Sequence, residues 1–365
     1  MTVSKFSVIS ADSHIIEPPN LWTDYMESAY KDRAPHVVRR EGKDIFVVDG
    51  QPLMGPWGAC RAGKPGEVAS DTVEDVFPGA WDPHARLVEQ EKDGVQAEVI
   101  YPTGALRLFS IEEPGLRRAS IRAYNDWIHD FCSHYPDRHK SLALIDVSDN
   151  DAAVAELGRS KKNGHAGGII TLSSGDPLEY WDERHDPLWA EAQDLGMPLH
   201  LHVISNVKQL PDFNNVIVEI FVNLTAQQAF ASMIYGGVFE RFPGLQIVSA
   251  ENEAGWVGIM LDKMDHLILR PDRRYAHKHN IWDTGILPSE YFRRNIAVSF
   301  IWDKSGVAVR EWIGLENLMW ANDYPHADSS WPDSARFRDH LFRGIPEDER
   351  RMLVAENAAR LYGFN

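Results

Sequence analysis

Eight short apolar segments alternate with helical patterns along this chain, and that alternation limits the possible folds more than any other feature. The segments are rich in Val, Ile and Leu and are bounded by turn residues, as β-strands are. Most are continuously apolar, which is typical of parallel strands covered on both faces. They occupy residues 5–14, 97–103, 141–147, 166–173, 197–203, 245–252, 295–300 and 318–323.

The helical patterns between these segments carry ordinary start and stop signals. Segments 82–94 and 186–196 each run from Asp-Pro to Gly, and such ends are normal for helices. The other helical patterns fall at 117–136, 151–164, 213–242, 253–269, 304–314 and the C-terminal tail. Eight strands alternating with helices predict an α/β fold, a (β/α)8 TIM barrel. A doubly wound parallel sheet is the alternative.

Two stretches are too long to be simple loops of such a barrel. Residues 16–81 contain a predicted hairpin at 36–53, and residues 270–294 are rich in Arg and His. We predict that both are insertions over the C-terminal mouth of the barrel. The whole chain, residues 1–365, is then a single domain.

Composition excludes several classes of partner. The net charge of -17 makes nucleic acid an unsuitable ligand, because electrostatic binding to a polyanion needs a surplus of Lys and Arg. Two cysteines, Cys60 and Cys132, are too few for a disulfide framework. No apolar run approaches 18 residues and the N-terminus lacks a signal-like apolar region, so neither membrane insertion nor export is expected. The expected location is cytoplasmic.

Polar residues that bind metals stand at the ends of four predicted strands. Asp12 and His14 are two positions apart, as are His200 and His202, so each pair shares one face of its strand. Glu251 ends the sixth strand and Asp323 the eighth. Catalytic residues of barrels lie at these strand ends. Imidazole and carboxylate ligands without sulfur predict a divalent metal, namely Zn²⁺, Mn²⁺ or Fe²⁺.

Several segments resemble one family of metal-dependent enzymes, and they cover nearly the whole chain. The segments are "ADSHIIEPPNLW", "PLHLHV", "GGVFERFPGLQIVSAENEAGW", "WANDYPHADSSWP" and "ENAARLYGF". In these segments the chain resembles amidohydrolase-related proteins such as aminocarboxymuconate-semialdehyde decarboxylase and the resorcylate decarboxylases. The resemblance implies that the metal ligands are Asp12, His14, His202 and Asp323. His200 lies one layer deeper, where we favour a supporting or core histidine and keep direct ligation as the alternative.

The sixth strand departs from the pattern of these relatives. Decarboxylating relatives commonly carry His-Gly-Gly there, and that His is their general acid and base. This chain has Glu251-Asn252-Glu253 instead. A glutamate can also transfer protons if burial raises its pKa, or it can bind metal and bridge to a second ion with His200. The catalytic candidates are therefore Asp323, Glu251 and His200, and the metal count is one or two per chain.

Three functional hypotheses follow. The first is a metal-dependent hydrolase or carboxy-lyase (decarboxylase) acting on a small carboxylated or phenolic molecule. The second is a dinuclear non-haem iron hydroxylase, Fe/Fe or Mn/Fe, that uses O₂. The third is a non-catalytic subunit with a structural metal. We expect a homo-oligomer, a dimer, and leave open a hetero-oligomer with a paralogue.

Further residues near the strand ends are weaker candidates. Glu17 is expected to orient a ligand or to cap a loop. His326 is expected to be a structural hydrogen-bond partner, and Arg107 either meets a substrate carboxylate or forms a surface ion pair. Tryptophans that could line the mouth are Trp57, Trp81, Trp302 and Trp331.

Overall fold

The computed structural model describes most of the chain, including every predicted strand core. The described residues are 5–54, 60–64, 72–172, 177–203, 205, 220–270, 281 and 283–364. The strands are β1 Ile9–Ile15, β2 His36–Arg40, β3 Lys43–Val48, β4 Gln51–Met54, β5 Ala97–Pro102, β6 His139–Leu144, β7 Gly167–Ile170, β8 Leu199–His202, β9 Ile247–Ala250, β10 Ile296–Phe300 and β11 Leu318–Trp320.

Helices separate these strands, largely where the capping signals predict them. They are α1 Leu21–Tyr25, α2 Pro83–Asp93, α3 Pro114–Ser133, α4 Asn150–Asn163, α5 Asp186–Asp194, α6 Leu224–Tyr235, α7 Val238–Arg241, α8 Gly255–Leu269, α9 Pro288–Asn295, α10 Lys304–Ala308, α11 Arg310–Ile313, α12 Ser334–Leu341, α13 Glu347–Arg351 and α14 Asn357–Tyr362. Short 3₁₀ turns include Pro78–Ala80 and Gly104–Ser110.

The predicted barrel is confirmed. Among the described residues, eight strands form one sheet in the order β1-β5-β6-β7-β8-β9-β10-β11. The strand pairs β1–β5, β5–β6, β7–β8, β8–β9 and β9–β10 are parallel. Sheet order that follows chain order without a reversal is the pattern of a (β/α)8 barrel, whereas a doubly wound sheet reverses at its switch point.

Residue contacts divide the chain into two compact units. The first contains residues 1–144, 163–166 and 320–365, and the second contains residues 145–162 and 167–319. The expectation of a single domain with two insertions stays a prediction.

In the first unit, strand β1 carries Asp12 and His14. It is buried over its whole length and pairs with β5. On its other side, the amide of Asp323 donates to the carbonyl of Asp12 at 3.1 Å, and the amide of His14 donates to the carbonyl of Tyr324. The segment that follows β11 is therefore bonded directly to β1. These bonds place Asp323 next to the β1 segment that carries Asp12 and His14.

Helix α2 shows how local sequence fixes one element of this unit. Asp82 precedes the helix and accepts hydrogen bonds from the amides of His84 and Ala85, as an N-cap aspartate does. Pro83 occupies the first turn, where a missing N–H costs nothing. Gly94 ends the helix at φ 70°, a left-handed conformation that glycine adopts without strain.

The predicted hairpin in residues 36–53 is a three-stranded antiparallel sheet, in the order β2-β3-β4. Two-residue turns join its strands. Glu41 and Gly42 have φ of 52° and 80°, and Asp49 and Gly50 have φ of 49° and 74°. Positive φ at both central residues is the signature of a type I′ turn, whose twist matches that of the strands.

The second unit contains the parallel strands β7 to β10, with Leu199 and His200 of β8 opposite Ile247 and Val248 of β9. Helix α9 begins within the stretch 270–294 that we predicted as an insertion, and it continues directly into β10. Residues 271–280 and 282 of that stretch lie outside the described residues, as does Trp57 of the other predicted insertion.

No helix built from the described residues is both long enough and apolar enough to cross a membrane.

Candidate metal centre

In the first unit, three predicted ligands lie around one imidazole. His14 Nε2 is 3.5 Å from Asp12 Oδ1 and 3.5 Å from Asp323 Oδ1. All three residues are buried, at 0% exposure. Two carboxylates beside one imidazole in a dry site repel each other unless a proton or a cation lies between them. The arrangement therefore suits a cation.

The ring of His14 is held so that Nε2 faces these carboxylates. Its Nδ1 lies 2.8 Å from the carbonyl oxygen of Pro102. A carbonyl can only accept a hydrogen bond, so Nδ1 carries the hydrogen and Nε2 keeps its lone pair. Metal-binding histidines are oriented in this way by a backbone carbonyl.

The backbone of His14 is fixed as well, by a buried arginine. Arg86 Nη1 donates to the carbonyl of His14 at 2.6 Å, and its Nε donates to Glu98 Oε2 at 2.6 Å. Both charged side chains are almost completely buried, which is tolerable because they are paired and hydrogen-bonded. Arg86 could not be predicted from the sequence, because this buried residue of α2 belongs to no recognisable motif.

His326, which we predicted to be a structural hydrogen-bond partner, also contacts this group. Its Nδ1 is 3.0 Å from Asp323 Oδ1, and its ring centroid is 4.0 Å from that of His14. Its Nε2 is 3.2 Å from the hydroxyl of Thr103. His14, Asp323 and His326 each offer a ligand atom within 4.8 Å of the others. His326 is thus a candidate ligand or orienting residue.

Glu17 caps the loop that carries Thr103. Its carboxylate accepts hydrogen bonds from the amides of Thr103, Gly104 and Ala105 at 2.9 to 3.2 Å. Burial raises the pKa of Glu17, and these backbone bonds offset part of that rise. Of its two predicted roles, loop capping is the one that the hydrogen bonds describe.

Arg107 lies on the 3₁₀ turn that begins at Gly104, next to the end of β5. Its side chain is partly buried, and desolvation lowers the pKa of its guanidinium. No ion pair with another described residue accompanies this burial. The predicted surface ion pair is therefore not found in the described part of the chain, and contact with a substrate carboxylate stays a prediction.

In the second unit, His202 and Glu251 form another contact between an imidazole and a carboxylate. His202 Nε2 is 3.1 Å from Glu251 Oε2. Its Nδ1 lies 2.6 Å from the carbonyl of Val203, so Nε2 is the ring nitrogen that faces the carboxylate. His202 is buried, while the Glu251 side chain is 20% exposed. Glu251 is consequently placed between the protein interior and the solvent.

The turn after β9 is unusual because its acidic residues adopt left-handed backbone. Glu251 has φ 53° and Glu253 has φ 56°. Asn252 ties the turn to the sheet by donating to the carbonyls of Leu201 and Ala250. Desolvation, followed by the charges of Asp303 and Glu251, raises the pKa of Glu253 to about 7.

His200 is a fully buried histidine of β8. Desolvation, and then the neighbouring His202, lower its pKa to about 3. A neutral buried imidazole agrees with the favoured interpretation as a supporting or core residue. Its alternative roles as a ligand or an acid and base stay predictions.

The donor atoms fit a divalent cation. Two ligands on one ion, with bonds of about 2.0–2.3 Å and angles of 90–110°, lie about 2.8–3.8 Å apart. The donor pairs described above lie 3.0 to 3.5 Å apart. Both His14 and His202 have Nδ1 beside a backbone carbonyl, which leaves Nε2 as the nitrogen that can bind a metal. The residues present therefore suit the predicted cofactor.

Comparison with known proteins identifies the family. A family model described as amidohydrolase matches residues 78–364. The chain belongs to the amidohydrolase family. The predicted resemblance is thereby confirmed, and the protein is a metal-dependent hydrolase or carboxy-lyase of this family.

Curated relatives of this amidohydrolase are decarboxylases. The gamma-resorcylate decarboxylase of Rhodococcus jostii (strain RHA1) is 28% identical over 270 residues, which are 66% of this chain and 75% of that protein. The 2-amino-3-carboxymuconate-6-semialdehyde decarboxylase of Dictyostelium discoideum is 24% identical over 258 residues, which are 69% of this chain and 68% of the relative.

Solved structures share the fold of the amidohydrolase. An amidohydrolase from Mycobacterium avium subsp. paratuberculosis K-10 has a TM-score of 0.77 at 19% identity, over 98% of this chain and 100% of that one. A 5-carboxyvanillate decarboxylase from Novosphingobium aromaticivorans DSM 12444, complexed with manganese, has a TM-score of 0.72 at 16% identity, over 98% and 96% of the two chains. None of these relatives is an oxygenase, so the hydroxylase alternative gains no support.

Proposed function

We propose that this amidohydrolase is a divalent-metal-dependent decarboxylase of a phenolic aromatic carboxylic acid. The observation that carries the proposal is the pair of imidazoles, His14 and His202, each fixed by a backbone carbonyl with Nε2 beside a carboxylate. The decarboxylase activity of the curated relatives supports the choice of reaction.

The proposed ligands are Asp12 and His14 of β1, His202 at the end of β8, and Asp323 in the segment that follows β11. When bound, the metal supplies Lewis acidity toward substrate oxygens. His326 holds Asp323 in place through the 3.0 Å contact. Zinc, manganese and iron all remain candidates, and manganese is favoured by the relative crystallised with it. The proposal needs one ion per chain.

The reaction replaces a carboxylate on an aromatic ring by a proton. The bond between the ring carbon and the carboxyl carbon breaks, CO₂ leaves, and a proton reaches the ring carbon. Glu251 is suited to deliver that proton because it is partly exposed, and so can exchange protons with water, while it contacts the buried His202. Asp323 is the alternative proton carrier.

Arg107 is proposed to bind an anionic group of the substrate. Its guanidinium is partly desolvated and has no ion-pair partner among the described residues, and it presents several donors suited to a carboxylate. Its 3₁₀ turn starts beside Thr103, which contacts His326. The guanidinium of Arg107 therefore lies on the same loop as a residue that contacts the proposed metal centre.

A substrate panel tests this function directly. Protein loaded with Mn²⁺ is incubated with 2,6-dihydroxybenzoate, 5-carboxyvanillate and other ortho-hydroxybenzoates, and CO₂ release is measured. We expect release with at least one phenolic acid and none with benzoate. We also expect Arg107→Gln to raise KM more than it lowers kcat. Metal-loaded protein that hydrolyses esters or lactones but releases no CO₂ would overturn the proposal.

A dimer is proposed on separate grounds. Helix α8 exposes Ile259 at 75%, and Trp312 of α11 is 45% exposed. The neighbouring Gly258 lies close to Val309 and Trp312, so α8 and α11 are adjacent and each exposes an apolar side chain. Exposed apolar surface often marks a contact with another protein. Light scattering at micromolar concentration tests it, and a monomer would contradict it. The cytoplasmic location stays a prediction.

A further inference from the structure

Strand β1 contains a bulge at the first proposed ligand. Ser10 lies opposite Glu98 of β5, whereas Ser13 lies opposite Ile100. Strand β1 therefore contains one residue more than β5 over this stretch, and Asp12 belongs to the irregular part. Bulges commonly occur beside active sites because they change the direction of a side chain. Whatever holds this bulge also determines where Asp12 points.

The side chain of Asn322 closes the bulge. Its Oδ1 accepts a hydrogen bond from Ser13 Oγ at 2.8 Å and lies 2.9 Å from Ser10 Oγ. Its backbone N–H donates to Ser10 Oγ at 2.9 Å. The hydroxyl of Ser10 also lies 2.8 Å from the carbonyl of Asp12. Asn322 immediately precedes Asp323, whose amide donates to that same carbonyl.

A buried carboxylate fixes which way the amide of Asn322 points. Its Nδ2 donates to Asp93 Oδ2 at 3.1 Å, at the C-terminal end of α2. Asp93 also accepts from the amide and the hydroxyl of Ser334 at 2.9 and 2.5 Å. Asn322 and Asp93 are 1% and 3% exposed. A flipped amide would set its oxygen against the carboxylate, so only one orientation is favourable.

We propose that Asn322 is a positioning residue of the metal centre, and that Asp93 sets its orientation. The amide bonds to the bulge that carries Asp12 and belongs to the segment that carries Asp323, so it fixes the separation of the two ligands. This inference rests on the proposed metal site. It extends that site to residues that touch neither metal nor substrate.

A swap of the two side chains tests the inference. Asn322→Asp sets two carboxylates against each other, and Asp93→Asn sets two amides together. Each single variant should weaken Mn²⁺ binding by about 10- to 100-fold, as loss of a ligand-supporting partner typically does. The double variant restores one donor facing one acceptor and should recover most of the affinity. Calorimetric titration with Mn²⁺ alone gives the Kd, and the Mn²⁺ EPR spectrum reports the ligand geometry.

Asn125→Asp is the matched control. Asn125 is a buried asparagine of the same unit, and its amide bonds to the backbone N–H and C=O of Leu144. This variant should unfold at a lower temperature with an unchanged Kd for Mn²⁺. An equal loss of Mn²⁺ affinity in Asn125→Asp would overturn the positioning role.

The remaining outcomes are also decisive. Folded Asn322→Asp with the wild-type Kd and EPR spectrum would refute the inference while leaving the metal site intact. If Asn322→Asp fails to fold, Asp93→Asn and Ser13→Ala carry the same test, and normal Mn²⁺ binding in both would refute it. Wild-type protein that binds no divalent metal would overturn the proposed centre and this inference with it.

Discussion

Replacing His200 by leucine should make the stability of the metal-free protein less sensitive to acid. The folded protein keeps this imidazole neutral, because desolvation lowers its pKa to about 3 from the ordinary value of 6.5. The unfolded chain therefore binds one more proton than the folded protein between those two pH values. The free energy of unfolding must fall as the pH falls from 6.5 toward 3.

The magnitude follows from the two pKa values. At pH 5 the wild type has lost about 2 kcal/mol through this group relative to pH 7, since each unit of pKa difference corresponds to about 1.4 kcal/mol. Leucine cannot take up a proton, and it is an apolar replacement in a buried strand. Other histidines with lowered pKa, such as His139 and His185, contribute equally to both proteins. The difference between wild type and variant isolates His200.

Urea unfolding in EDTA at pH 5 and pH 7 measures this difference. We expect the wild type to lose about 2 kcal/mol more than His200→Leu. We also expect the variant to keep its Mn²⁺ stoichiometry when loaded. If His200→Leu showed the same pH dependence of stability as the wild type, the conclusion that His200 is neutral in the folded protein would be refuted. Loss of the metal would instead identify His200 as a ligand, the alternative that the sequence left open.

Two further predictions concern residues at the ends of β8 and β9. His202→Ala should lose metal while keeping the circular dichroism spectrum of the wild type, because the packed core does not depend on that ring; metal retained at wild-type stoichiometry would contradict its role as a ligand. Glu251→Gln should keep one metal and lose most turnover if Glu251 delivers a proton. Loss of one of two metals would support a dinuclear centre, and full activity with full metal content would exclude both roles.

The barrel was predictable because its strands carry a strong local signal. Continuous apolar runs placed β8 and β9 within a few residues of their observed bounds. Boundaries were less accurate where short elements depend on tertiary contacts. The predicted helix 304–314 is divided at Val309 into α10 and α11. The hairpin at 36–53 contains two type I′ turns, because Asp49-Gly50 provides a second one.

The strand-end residues were predictable for a different reason. Barrel topology gathers the carboxyl ends of strands on one face, so polar residues there could be chosen without coordinates. The contacts of His326 and Asn322 could not be predicted, because they depend on the path of the chain after β11, which no periodic pattern encodes. Arg86 is identified only by its buried bonds to His14 and Glu98.

Glu253 combines a left-handed backbone with a desolvated carboxylate, and this makes it a test of whether function maintains the turn after β9. A non-glycine residue in left-handed backbone costs about 1–2 kcal/mol, and Glu253 has φ 56°. Its pKa of about 7 means that the folded protein binds an extra proton between pH 4.5 and 7, so its contribution lowers stability as the pH rises through that range. Glu253→Gln keeps the backbone strain but removes the titration. Relative to the wild type, its gain in the free energy of unfolding of the metal-free protein should be roughly 2 to 3 kcal/mol larger at pH 8 than at pH 5.

Glu253→Gly should add a pH-independent gain in the free energy of unfolding of up to about 1 kcal/mol. Both variants should lose activity if the acid serves the reaction. A variant that is more stable and fully active would mean that the carboxylate is not needed for turnover.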